Sequence, residues 1–297
     1  MDKPIQVTKT LTFENVEGLL NPDMFVVWRD WISQRERQNL GSVRFALVHR
    51  FFSTRDVGRE EAESSDFAFK VFLCLRLVRP TKSNFDPIQI QFKGSQNTEV
   101  EIFSLAHQHG VWPNVPDAES LNSITLKDID GLKQIIAPFL NLAEKGPENV
   151  RRAVRHFNAG YQDVRDPTIQ IVIWCMGIES LFSSSTAGIS NKNLFELIDQ
   201  TVGFKRDIYE ESPLKELIGN QRIEVGSVIR DLFELRNRFV HGEWIPTDWN
   251  TKPTRRNLTG ENLNYAEVLR ETASFVLRKG ILHHLRENIN ASSQPEN

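Results

Sequence analysis

The sequence predicts an α+β protein, with an N-terminal β-rich domain followed by a C-terminal all-α helical bundle. Two observations carry that expectation. Apolar residues before about position 120 recur mainly with a period of two, as half-buried strands require. Beyond it the apolar period becomes helical. A chain of 297 residues, 39% hydrophobic and 25% charged, has the material for two ordinary domains with cores. The expected boundary lies near 140, with a sensor or substrate-selecting domain over 1–140, the bundle over 141–290 and a disordered tail over 291–297.

In the first part, "IQVTKTLTF" alternates imperfectly through Ile5, Val7, Leu11 and Phe13. The stretch 22–38, with Phe25, Trp28 and Ile32, reads as helical, and 42–52 fits a strand or a helix. The charged run 58–66 reads as a loop. After it, "DFAFKVFLCLRLV" puts Phe67, Phe69, Val71, Leu73, Leu75 and Leu77 on one parity, with Lys70 and Arg76 on the other, predicting a long strand. Ile88, Ile90 and Phe92 predict another. The prolines of "HQHGVWPNVP" make 107–116 a loop. His107 and His109 lie two apart there, but nothing nearby completes a metal site.

The second part reads as helices in succession. Leu132, Ile135, Ile136, Phe139 and Leu140 share a face, and Pro138 is expected to bend or break that helix. Pro147 and Glu148 open the next, with Val150, Val154, Phe157 and Tyr161 at helical spacing. Asp166 and Pro167 supply an N-cap and a first-turn proline for a helix apolar nearly all round from Ile169 to Phe182, interrupted in its second half by Glu179. A shorter amphipathic helix occupies "NKNLFELIDQTVG". Segment 205–222 mixes charge and proline, predicting a loop with short helical pieces. The helix 222–241 turns Val225, Val228, Ile229, Leu232, Phe233 and Leu235 inward, with Gly242 placed for a left-handed C-terminal cap. A last helix is expected over about 261–288.

Composition excludes several function classes. The net charge of −3 rules out a polycation, so any nucleic acid must be held by a local basic patch. Cys74 and Cys175 sit in apolar runs and predict small core residues. No basic-then-apolar leader opens the chain and no apolar stretch spans a bilayer, so a cytoplasmic protein is expected. No P-loop, dinucleotide fingerprint, HExxH or GxSxG occurs, which argues against ATPase, dehydrogenase, zinc protease and esterase chemistry. No cofactor is implied.

The chemistry-bearing stretch is "LFELRNRFVHGEW" (232–244). Arg236 and His241 are five residues apart, about 140° and one and a half turns on a helix. Arg238 and His241 share a face. Such residues can simply complement the helix dipole. They also suffice, in kind, to cleave an RNA phosphodiester without metal. A neutral imidazole moves protons near pH 7, and a guanidinium stabilises charge on the phosphoryl oxygens. Asn237 can hold a phosphate or orient the histidine, and two such half-sites across a dimer give one base and one acid. A carboxylate on an apolar helix is costly to bury unpaired, so Glu179 is expected to seek Arg236 or Arg238 and position it.

Other groups could contact RNA. His156 lies beside Arg151, Arg152 and Arg155, a basic face suited to a phosphate backbone or to solvent. Arg255 and Arg256 follow the motif, and Trp244 and Trp249 could stack on a base or pack over the bundle end. His283 and His284 could line an interface or be exposed.

"IVIWCMGIESLF" followed by "LFELRNRFVHG" resembles the paired motifs of the HEPN superfamily (higher-eukaryote and prokaryote nucleotide-binding), and within it the ApeA-like branch. Ile178, Glu179, Leu181 and Phe182 match the first motif; Phe233, Leu235, Arg236, Asn237, Val240, His241 and Gly242 match the second. The likeness covers roughly residues 145–290 and nothing in 1–140. It implies a HEPN-like bundle and an R-x4-H endoribonuclease site at Arg236 and His241, with Asn237 at the polar position after the arginine. It further implies a homodimer with the site at its interface, and a defence or toxin setting with an antitoxin partner or a phage-derived trigger. Some members only bind RNA or nucleotides, so a non-catalytic binding or dimerisation module is the rival expectation.

Overall fold

Among the described residues, three helices open on side-chain caps that the sequence supplies. A computed structural model describes residues 5–6, 11–15, 45–49, 66–67, 70–71, 73–79, 88–93, 99–104, 125–161, 166–183, 190–211, 215, 222–243 and 265–292. Helix α1 (Leu126–Lys145) opens on a reciprocal cap. Thr125 Oγ1 accepts from the Asp128 N–H, and the Asp128 carboxylate accepts from the Thr125 N–H at 2.7 Å. Helix α2 is Glu148–Ala159. At α3 (Pro167–Phe182) the Asp166 carboxylate accepts from the Thr168 N–H at 2.7 Å, with proline in the first turn. Helix α4 (Asn191–Thr201) is capped by Ser190, and α5 (Val225–Val240) and α6 (Tyr265–Ser292) follow.

Helix α3 is the hub. It packs most extensively on α2 and α6 and also meets α5 and α4. That explains a helix apolar on every side: Ile171, Val172, Trp174, Cys175, Ile178 and Leu181 are all buried. Close approach needs Gly177, where a β-carbon would lie 2.7 Å from Leu277 Cδ2 and 2.9 Å from His156 Cβ. Polar ties fix the orientation. Trp174 Nε1 donates to the Phe157 carbonyl at 3.1 Å, the Tyr161 hydroxyl bonds Ser274 at 2.7 Å, and the Tyr265 hydroxyl donates to Asp231 at 2.5 Å.

The expected α+β class with a β-rich N-terminal domain is not what the structure shows: the described residues are predominantly helical. The decisive correction is the predicted long strand. Residues 66, 67, 70, 71 and 73–78 are helical, and Val71, Leu73, Cys74, Leu75 and Leu77 belong to the same core as the C-terminal helices. Cys74 is fully buried between the odd-numbered apolar positions, so both parities face protein, which a half-exposed strand forbids. Polar ties hold the segment in place. Arg278 Nη1 donates to the Leu77 carbonyl at 3.1 Å, Arg79 meets Asp128 at 2.9 Å, and Lys70 meets Glu144 at 3.0 Å.

Among the described residues, strand is confined to five short pieces. β1 (Ile5–Gln6), β2 (Leu11–Asn15) and β3 (Phe45–His49) pair antiparallel in that order, with Ile5 opposite Phe13 and Phe13 opposite Leu47. β4 (Ile88–Lys93) and β5 (Glu99–Ser104) form an antiparallel pair with Ile90 opposite Ile102.

Of the bend or break expected at Pro138, the break does not occur: α1 runs through it, and Phe139 and Leu142 beyond it are buried. Position 140, near which the domain boundary is expected, lies inside α1. Helix α6 continues to Ser292, two residues into the expected disordered tail. The helical reading of 22–38, most of the 58–66 loop, the histidine loop 107–116, Trp244, Trp249, Arg255 and Arg256 lie outside the described residues. Among the described residues, no helix is long and apolar enough to cross a membrane.

Candidate active site at the ends of helices α3 and α5

The site begins with the phasing of α5. Its buried stripe runs through Val228, Leu232 and Leu235 against the core. Arg236, four residues after Leu232 and three after Phe233, falls at the edge of that stripe. There it meets Glu179, the carboxylate near the end of α3. Arg236 Nη2 and Glu179 Oε2 are 2.5 Å apart, and Arg236 Nη1 donates to Asn237 Oδ1 at 2.9 Å.

The carboxylate thus chooses Arg236 over Arg238, which pairs with Glu234 on its own helix at 2.7 Å. Neither member of the pair is deeply buried; the side chains keep 22% and 27% of their exposure. Burial still dominates the Glu179 carboxyl. It is held above the ordinary glutamate range, with the Arg236 charge and hydrogen bond only partly offsetting desolvation. Cys175, one turn earlier on α3, is buried and its thiol is pushed up by desolvation, with the Glu179 charge adding to the effect.

His241 is placed by the helix stop. It is the C-cap of α5, and its N–H donates to the Asn237 carbonyl at 3.0 Å. Gly242 follows at φ +67°, its N–H bonding the Phe239 carbonyl at 3.1 Å, while the Glu243 N–H bonds the Arg238 carbonyl at 2.8 Å. These two bonds are the Schellman pattern, which ends the helix at His241 with Gly242 as the left-handed residue just beyond the cap. A β-carbon at Gly242 would meet nothing within 4 Å, so the glycine is required by backbone angle, not by space. The His241 imidazole is exposed and makes no hydrogen bond or ion pair among the described residues. The C-terminus thus offers a fixed, doubly held guanidinium and, five residues on, an imidazole open to solvent.

The secondary candidates do not join this network through any described interaction. Arg151, Arg152 and Arg155 gather around one carboxylate, Glu148, with Arg152 Nε at 3.7 Å and Arg155 Nη1 at 3.9 Å, leaving a surplus of positive charge on α2. His156 beside them is shifted towards its neutral form by burial, then by Arg152. His283 and His284 both approach Glu287, at 3.1 and 3.6 Å, and burial lowers the His284 pKa more than Glu287 restores it.

The sequence reading missed Phe195 and Arg230. They line an open groove of about 380 Å³ beside the site, together with Phe233, Asn237 and Arg238. The signal was present as matched i, i+3, i+4, i+7 spacing on α4 and α5, but it becomes informative only once the two helices are known to face each other. No protein-family model, curated protein or solved structure matches this chain.

Proposed function

We propose that the chain is a metal-independent endoribonuclease of the HEPN kind, acting as a homodimer. The observation that carries this reading is the Glu179–Arg236–Asn237 network at the foot of the helix whose C-cap is His241. In the reaction, the ribose 2′-oxygen attacks the adjacent phosphorus and its proton passes to one His241. The bond from phosphorus to the 5′-oxygen breaks, and that oxygen takes a proton from the His241 of the second copy. The products are a 2′,3′-cyclic phosphate and a 5′-hydroxyl. Arg236, immobilised through two of its N–H groups, turns its remaining Nη donors to the non-bridging oxygens as charge builds there.

Pairing of two copies is supported by Phe239 and Val240, large apolar side chains 39% and 53% exposed, three and four residues beyond Arg236. A defence or toxin role, an antitoxin partner and a phage-derived trigger come with the HEPN resemblance and are part of the proposal.

The test is incubation of the purified protein with total RNA in EDTA. Cutting should persist in the parent, leave cyclic phosphate ends, and fall at least about 100-fold in His241→Ala and in Arg236→Ala. RNA left intact by the parent across many substrates and candidate triggers, or cut equally by both variants, rejects the proposal in favour of a module that only dimerises or binds nucleotide.

A further inference from the structure

Helices α4 and α5 present facing stripes. Lys192, Phe195, Glu196 and Asp199 recur at i, i+3, i+4 and i+7 on α4, and Arg230, Phe233, Glu234 and Asn237 repeat that spacing on α5. The Phe195 ring meets Phe233 edge-on, with centroids 5.6 Å apart at 67°. Two adjoining hollows of about 380 and 450 Å³ share Phe195 and Arg230, and so form one furrow along the bundle. One end reaches Asn237, whose Oδ1 accepts from Arg236. The furrow thus ends one hydrogen bond away from Arg236, the group assigned to the scissile phosphate, which does not itself line it.

Its charges sort into committed and uncommitted ones. Asp199 accepts from the Phe204 N–H at 2.7 Å, and Glu234 holds Arg238. Lys192, Glu196, Arg230 and Glu243 are exposed and form no ion pair among the described residues. A channel that only tracks a nucleic-acid backbone is basic along its length. Here two unpaired cations and two unpaired carboxylates surround a phenyl ring. That combination meets the needs of a nucleotide: a flat surface for the base, an acceptor for its edge and cations for its phosphate.

We propose that this furrow seats one unpaired RNA nucleotide next to the cleaved linkage. Phe195 stacks on the base, Glu196 accepts from an amino group on its edge, and Arg230 with Lys192 holds its phosphate. The position relative to the cut rests on the nuclease reading; the binding does not.

The experiment measures binding by full-length His241→Ala protein, which cannot cut, to short fluorescein-labelled homopolymers of uridine, adenosine and cytidine by anisotropy. Affinity should differ among the three. Adding Phe195→Ala should weaken the preferred RNA by about tenfold, and Phe195→Leu, which keeps apolar packing without a ring, should do the same. Phe195→Trp should retain binding. Arg230→Gln should weaken all three RNAs alike and flatten the salt dependence. Unchanged affinity in Phe195→Leu, or no measurable RNA binding before any furrow change, overturns the subsite. If Phe195-dependent binding is found while the parent never cuts RNA, the nuclease reading falls and the subsite stands. If the parent cuts RNA and Phe195→Leu binds as the parent does, the reverse holds.

Discussion

At the scale of single residues, the decisive interaction is a carboxylate that burial makes reluctant to ionise and an arginine that needs it ionised. A proton on Glu179 removes the acceptor that holds Arg236 Nη2. Because the Glu179 carboxyl titrates above the ordinary range of about 4.3, the proposed RNA cleavage should begin to fail on acidification while exposed glutamates are still charged. The variant Glu179→Gln should be roughly tenfold or more slower at neutral pH, with Arg236 less firmly placed, and that gap should narrow on acidification as the parent loses its carboxylate. A pH–rate profile of the two proteins checks this, and a parent-to-variant rate ratio that stays constant with pH would remove Glu179 from its positioning role. The pairing itself was legible in the sequence. A lone carboxylate on an apolar helix has a high desolvation cost, and the motif arginines were the available counter-charges. The Gly242 cap was legible too, since few other residues adopt positive φ without strain. Phe195 and Arg230 were not, because nothing local to "NKNLFELIDQ" or "VIRDLF" says that these two stripes face one another.

At the scale of elements, the segment 66–79 matters most. Its alternation suggested a strand, yet Phe72 and Cys74 fill the other parity, so a short apolar run of this kind fits a buried helix equally well. What decides is the bundle around it. Val71, Leu73, Leu75 and Leu77 are at most 4% exposed. At about 1.5–3 kcal/mol for each buried aliphatic side chain, they contribute an amount comparable with the whole stability of a domain, about 5–15 kcal/mol. A fragment starting at residue 141 should therefore fail to fold cooperatively, even though it contains the whole candidate site. A fragment starting at 66 should give a sharp unfolding transition. Chemical denaturation followed by tryptophan fluorescence distinguishes them, and a cooperative transition in the shorter fragment would contradict the shared core. Pro138 does not break α1 for a related reason: proline removes one helical hydrogen bond, but Phe139 and Leu142 anchor the far side of α1 strongly enough to carry the helix past it.

At the scale of the whole molecule, α6 gathers charge in the interior. Arg278 is buried to 1% exposure, and its Nη2 meets Glu211 at 2.8 Å while Nη1 holds Leu77; Lys279 also pairs with Glu211. Burial alone would raise the Glu211 carboxyl, but the Arg278 charge, aided by Lys279, brings it down to about 2. The folded value lies below the unfolded one of about 4.5, so the folded state binds fewer protons between them. This stabilisation is present above pH 4.5 and is lost as the pH falls towards 2. Thermal melts across that window should show a steep decline in the parent and a shallower one in Glu211→Gln, which starts less stable at neutral pH. Equal slopes would mean that another carboxylate governs acid unfolding; Asp128, also lowered despite its burial by its bonds to Thr125 and Arg79, is the next to test.

Cys74 and Cys175 are both fully enclosed, and burial keeps both sulfhydryls protonated. Alkylating agents act on the thiolate, so in the native protein both sulfur atoms are chemically silent. Each becomes reactive only when its own region opens, Cys74 reporting on the N-terminal helical segment and Cys175 on the floor beneath the arginine. The chain thus carries two built-in tags, one in the segment that completes its core and one beneath the proposed active site.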